Sequence, residues 1–123
     1  MQKPKTYTER RPWGMFEQFT LNELSTVKII TVKPKQELSL QYHYKRSEFW
    51  RVLAGKPVIT IGAKKYRAKA GDEFFVPVRT EHRIASGTDK EPAKVLEISY
   101  GTFIEEDIVR LEDKYGRVKR AKN

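Results

Sequence analysis

Punctuation is the feature that most constrains this chain. Between residues 27 and 100, short runs of β-branched and aromatic residues alternate with Gly- or Pro-bearing turns about every eight to twelve positions. The runs are Val27–Lys33, Leu38–Tyr42, Glu48–Leu53, Val58–Ile61, Glu73–Val76, His82–Ala85 and Val95–Tyr100. Lys33-Pro34, Gly55-Lys56-Pro57, Ile61-Gly62-Ala63, Ala70-Gly71-Asp72 and Ser86-Gly87-Thr88 separate them. The pattern predicts an all-β sandwich or barrel. After Tyr100 the periodicity changes. Ile104, Ile108, Leu111 and Tyr115 fall on one helical face, and Thr102 to Glu105 fits a capping box ahead of them, so one short C-terminal helix is expected. With 123 residues there is room for one core, read as a single domain over 1–123 with its centre at about 9–117 and a basic tail, 118–123.

Composition narrows the class. Hydrophobic residues make up 38% and aromatics 11%, too many for a disordered chain. No apolar run approaches a bilayer-spanning length, and the first fourteen residues lack the apolar stretch of a signal peptide, so a soluble, cytoplasmic protein is expected. The absence of cysteine excludes disulfides and thiolate metal sites. A net charge of +9 favours anionic partners without choosing among them. The basic residues are scattered among acids, apart from Arg117, Lys119, Arg120 and Lys122 in the tail, which reads as a solvated terminus. No basic helix or zinc finger accompanies them, so neither nucleic acid nor membrane is the expected partner.

The two histidines, His43 and His82, sit in a patterned setting. In the run from Leu38 to His43, Leu38, Leu40 and Tyr42 point one way, and Ser39, Gln41 and His43 the other. Parity alone leaves open whether that polar face meets water or a polar barrel interior. Gln41, His43 and Glu48 form Q-x-H-x4-E, with Gly55 after six more residues. Gly71-x5-Pro77 follows, with His82 five positions beyond the proline.

These spacings resemble the two-part signature of the cupin superfamily, G-x5-H-x-H-x3–4-E-x6-G followed by G-x5-P-x-G-x2-H-x3-N. Lys35 stands at the first glycine, Gln41 at the first histidine, Arg79 at the glycine of the second part and Ser86 at its asparagine. The resemblance implies a double-stranded β-helix, the jelly-roll barrel, with Gln41, His43, Glu48 and His82 turned to one point inside it. Two nitrogens and two oxygens would suit a divalent metal ion (Zn foremost; Mn, Co, Ni or Fe also suited) with positions left open for substrate.

A narrower resemblance covers about residues 9–117. Arg11-Pro12-Trp13-Gly14, the stretch from Leu38 to Trp50 with Gln41, His43, Arg46 and Glu48, Val76-Pro77 with His82-Arg83, and the ending from Glu106 to Arg117 are similar to type II phosphomannose isomerase. In many members this cupin follows a mannose-1-phosphate guanylyltransferase domain. No glycine-rich phosphate loop of that kind is present here, so GDP-mannose synthesis is not expected. Tyr44, Lys45 and Phe49 depart from that family's histidine-rich stretch.

The resemblance implies a metal-dependent sugar-phosphate aldose–ketose isomerase, with mannose 6-phosphate to fructose 6-phosphate as the leading conversion. The alternatives are a non-catalytic cupin that binds a sugar or sugar nucleotide, or another cupin enzyme such as a sugar epimerase or an oxygenase. Such chemistry needs an acid/base near two carbons, a positive centre for the developing oxyanion, and a phosphate anchor. Arg46 and Glu48 are the expected catalytic residues, and Arg11, Lys33, Arg79 and Arg83 the expected substrate-binding ones. Glu48, Lys33, Glu97 and Asp107 remain open as the base. Trp13 and Trp50 are expected in the core. Pairing through an exposed sheet edge would make the molecule a homodimer.

Overall fold

The computed structural model describes residues 6–118 and consists of strands and turns. The basic tail beyond Val118 lies outside the described residues. A hairpin of β1 (Tyr7–Arg11) and β2 (Gly14–Gln18) comes first. It is followed by β3 (Ser25–Val32), β4 (Leu40–Tyr42), β5 (Arg46–Ala54) and β6 (Val58–Ile61). Then come β7 (Lys64–Arg67), β8 (Glu73–Val76), β9 (His82–Ala85), β10 (Ala93–Gly101) and β11 (Val109–Glu112). Two antiparallel sheets face each other, one in the order β3-β10-β5-β8 and the other β11-β4-β9-β6-β7. This is the all-β, double-stranded β-helix architecture expected of the sequence. No helix among the described residues is long and apolar enough to cross a membrane.

The core lies between the sheets. Trp50 and Val52 of β5, Val95 of β10 and Val76 of β8 meet Ile59 of β6 and Ile84 of β9, all nearly inaccessible to water. Burying each such side chain contributes about 1.5–3 kcal/mol, which is what holds two short-stranded sheets together. A second, smaller cluster covers the outer face of the four-stranded sheet. Phe19 packs on Phe49 with ring centroids 5.4 Å apart, and the Tyr100 hydroxyl donates to the Phe19 carbonyl at 3.1 Å.

The expected C-terminal helix is not formed. Residues 104–107 make a tight turn, with Asp107 N–H donating to the Ile104 carbonyl at 3.0 Å. Val109–Glu112 then pairs antiparallel with β4 as β11. Without it β4 would be left as a short unpaired edge, so pairing with a waiting strand outweighs the intrinsic helical pattern. Two other departures concern backbone. Lys35 and Arg79, which occupy the glycine positions of the cupin signature, both have positive φ, 67° and 59°. The fold keeps the left-handed turns although the glycines are gone.

Candidate metal centre and its cavity

A cavity of about 240 Å³ opens at one end of the barrel, between the sheets. Its walls are rows of side chains set by register. Across the five-stranded sheet, Arg110 of β11 is paired with Gln41 of β4, and Gln41 with His82 of β9. Across the other sheet, Lys28 of β3 is paired with Glu97 of β10, and Glu97 with Trp50 of β5. Directly opposed residues on antiparallel strands share a face. Both rows therefore point inward, and all six residues line the cavity. The polar face of the Leu38–His43 run, ambiguous in sequence, is the interior one.

Three of the four expected ligands converge. One donor atom each from His43, Glu48 and His82 lies within 4.8 Å of the others, and all three residues are buried. His43 Nε2 is 3.2 Å from Glu48 Oε2, and His82 Nε2 is 3.7 Å from Glu48 Oε1. His43 Nδ1 is 2.7 Å from the Asp107 carbonyl, and His82 Nδ1 is 2.8 Å from the Thr80 carbonyl. A carbonyl oxygen only accepts, so each Nδ1 carries a hydrogen, and each Nε2, facing the carboxylate, is left to hold either a proton or a metal ion. Imidazoles oriented by carbonyls and aimed with a carboxylate at one point are a donor set that fits a divalent metal ion. Gln41, the fourth expected ligand, stands beside His82 on the wall and donates its amide to the Ser39 carbonyl at 3.3 Å.

The charges around this cluster are sharply divided. Burial opposes ionisation of Glu48, but the hydrogen bond with His43 and the charges of His82, His43 and Arg46 outweigh it and hold the carboxyl down at about 2. Trp50 Nε1–H adds a hydrogen bond to Glu48 Oε1 at 2.9 Å, so this tryptophan is both core and support. Glu97, on the opposite wall, is pushed up to about 7, chiefly by burial and then by the Glu48 charge. It accepts a hydrogen bond from Ser99 Oγ at 3.0 Å. Burial lowers the pKa of His82, which favours the neutral imidazole that a metal requires.

Arg46, an expected catalytic residue, is buried against the cluster with a relative exposure of 6%. Nη1 donates to the Ile104 carbonyl at 3.1 Å, Nη2 lies 3.4 Å from His43 Nε2, and the guanidinium sits 4.2 Å from the Phe103 ring centre. The four expected substrate-binding cations are elsewhere. Arg11 pairs with Glu9 on the exposed hairpin, and Lys33 lines a neighbouring groove beside Gln36 and Tyr115. Arg79 is exposed near Tyr44, while Arg83 points away from the core and ties the Leu38 carbonyl to Glu112. Among the open base candidates, Asp107 is committed to capping, its carboxylate accepting from Tyr44 and Lys45 N–H at 2.9 Å each. Trp13, expected in the core, is exposed.

Sequence reasoning missed Lys28, Phe103 and Arg110 as cavity residues. Alternation in β3 could have flagged Lys28. Nothing local flags Arg110, because it lay within the expected helix.

Comparison with known proteins agrees with this geometry. The family described as mannose-6-phosphate isomerase C-terminal matches residues 2–113. The chain belongs to that family. Mannose-1-phosphate guanylyltransferase ManC of Salmonella typhimurium is 38% identical over 109 residues, covering 88% of this chain and 22% of the relative. The chain therefore spans less than a quarter of the length of the curated relatives it matches. A double-stranded β-helix protein of Klebsiella pneumoniae superposes with a TM-score of 0.63 at 20% identity, over 76% of this chain and 78% of that one. A protein of Acidithiobacillus ferrooxidans, provisionally described as a sugar phosphate isomerase, superposes at 0.56 with 25% identity, over 63% of this chain and 51% of that one.

Proposed function

We propose that this member of the mannose-6-phosphate isomerase C-terminal family is itself a metal-dependent aldose–ketose isomerase, interconverting mannose 6-phosphate and fructose 6-phosphate. The observation that carries the reading is the pairing of a preorganised His43/Glu48/His82 donor set with a second carboxylate of opposite proton affinity, Glu97, in one cavity. Two carboxylates whose surroundings push their pKa values apart are the arrangement that acid–base chemistry at neutral pH requires. Tyr44, Lys45 and Phe49, the departures that favoured a non-catalytic binder, are not cavity residues. Tyr44 and Lys45 are exposed, and Phe49 packs on Phe19 behind the sheet.

In this mechanism Glu97 takes the proton from C2 of the open-chain aldose, and the bonding electrons form the C1=C2 enediolate. The same carboxyl returns the proton to C1 while the hydroxyl proton passes from O2 to O1, leaving C2 as the ketone. Glu48 stays ionised and takes no part in proton transfer. Arg46, held between Ile104 and Phe103, offers guanidinium N–H groups to the developing oxyanion. A divalent metal ion held by His43, Glu48 and His82, with Gln41 beside them, would polarise the two reacting oxygens as a Lewis acid.

A coupled assay tests the reading, run after chelation and with Zn, Mn, Co or Ni restored, beside His82→Ala. Metal-dependent turnover that disappears in the variant is the expected result. A folded, metal-loaded protein without turnover of this pair would refute it.

A further inference from the structure

Three buried side-chain polar atoms among the described residues have no hydrogen-bond partner: Ser39 Oγ, Arg46 Nε and Arg110 Nε. All three residues line the one cavity that holds the His43/Glu48/His82 cluster. Arg46 at least has Glu48 near it, at 3.7 Å. Arg110 has nothing. Among the described residues it is the one arginine that is not exposed and makes neither a hydrogen bond nor an ion pair. The other two half-buried or buried arginines outside the cluster, Arg51 and Arg83, are each held by carboxylates. Its Nε is out of water without a partner while the side chain as a whole is half-buried, so the guanidinium stands at the cavity with donors and a charge that an anionic ligand would satisfy.

Its position says where that anion lies. His82, Gln41 and Arg110 form one row across three neighbouring strands. Two strand spacings separate the cluster from Arg110, about 10 Å. That is the reach of an extended six-carbon sugar from its first two oxygens to a phosphate on the sixth carbon. Lys28, on the edge strand of the facing sheet, lines the same cavity, with Nζ resting 4.1 Å from the Phe103 ring centre. Arg117 also lines it, but Asp113 already takes its guanidinium through Nε at 2.7 Å and Nη2 at 3.2 Å. Glu105 is the cavity carboxylate besides Glu48 and Glu97. The cavity, below the roughly 300–1,000 Å³ of drug-sized sites, suits one sugar phosphate rather than a nucleotide sugar.

We propose that Arg110, with Lys28 opposite it, forms the subsite for the phosphate monoester of the sugar substrate, in place of the cations that the sequence suggested. The identity of the sugar rests on the isomerase reading; the charge of its far end does not. Arg110 supplies the fork that matches two phosphate oxygens, and Lys28 supplies a point charge from the second sheet.

Calorimetric titration of the full chain with mannose 6-phosphate, mannose, inorganic phosphate and GDP-mannose tests this without requiring turnover. Arg110→Met should weaken mannose 6-phosphate at least tenfold, and the double variant with Lys28→Met about a hundredfold, with mannose unchanged. Because Arg110 has no partner to lose, Arg110→Met should keep or raise the melting temperature, whereas loss of a structural arginine would lower it. Arg110→Lys, keeping charge without the fork, should fall between. Equal binding of mannose 6-phosphate by wild type and Arg110→Met would overturn the subsite, as would wild type that fails to prefer it over mannose. Dependence on Arg110 for GDP-mannose alone would overturn the monoester assignment. Phosphate-dependent binding without turnover would uphold the subsite and refute the isomerase reading. Turnover with an unchanged KM in Arg110→Met would do the reverse.

Discussion

At one end of the barrel β5, β9 and β10 supply Trp50, Val52, Ile84 and Val95 to a dry core; at the other, the same three strands supply Glu48, His82 and Glu97 to the cavity. The change takes two residues along each inward face: Glu48 to Trp50, His82 to Ile84, Glu97 to Val95. Strand geometry is continuous across the change, so the dry end fixes where the polar end's side chains stand. The dry end is stabilised by burial. The polar end holds buried charges that burial penalises and that ligands would compensate. Stability and chemistry are thus separated by half a strand.

The sharpest way to break the comparison is at Glu48. Glu48→Gln should abolish metal binding, measured by metal content after dialysis, and lower turnover at least a thousandfold. It should also lower the melting temperature, because it takes the Glu48 charge from the buried Arg46 guanidinium, although the dry end stays packed. The converse is Ile84→Ala, at a site with no exposure, which should cost about 2–5 kcal/mol in denaturant unfolding. At temperatures where that variant is folded it should still bind metal with wild-type stoichiometry. An effect of Ile84→Ala on metal binding as large as that of Glu48→Gln would show that the two ends are not separable.

A pH series sharpens the contrast further. Folding raises the Glu97 carboxyl from 4.5 to about 7, so between those values the folded chain keeps a proton that the unfolded chain releases. In chelated protein that contribution is fully present below pH 4.5 and is lost as pH rises to about 7, a change on the order of 3 kcal/mol. Glu97→Gln should flatten this slope in urea titrations at several pH values. The variant should also lose turnover, since the base that takes the C2 proton is gone, and wild-type turnover should fall on the acidic side as Glu97 is protonated below about pH 7.

The smallest effect lies at the left-handed turns. Lys35→Gly and Arg79→Gly should each raise stability by about 0.5–1 kcal/mol, since L-residues with φ near 60° are strained there. Arg79→Gly should leave turnover untouched, because the Arg79 backbone N–H, which donates to the His43 carbonyl at 2.7 Å, survives the change.

Much of this was legible before any coordinates. β6, β8 and β9 have the bounds that the sequence predicted; Gly and Pro on both sides of β6 and β8, and Gly87 just after β9, leave little room to slide. His43, Glu48 and His82 were legible because ligand spacing is local along two strands. β7 was not: its four residues, Lys64 to Arg67, are all exposed and carry no apolar alternation. β11 was misread because Ile104, Ile108 and Leu111 satisfy helical spacing, whereas the deciding partner, β4, lies far back in the chain. The same misreading hid Arg110. Lys28 and Arg110 belong to rows across the sheets, which only register reveals.

Asp107 has a consequence in time rather than in space. Its carbonyl sets the hydrogen on His43, and its carboxylate ties down Tyr44 and Lys45, from 62 to 64 residues downstream. Contacts of that separation form late, after the locally paired hairpins. On the ribosome, the strands that carry His43 and Glu48 emerge well before the segment that orients His43. The nascent barrel can close its core while the His43 imidazole remains free to rotate, and competence arrives with the 104–107 turn.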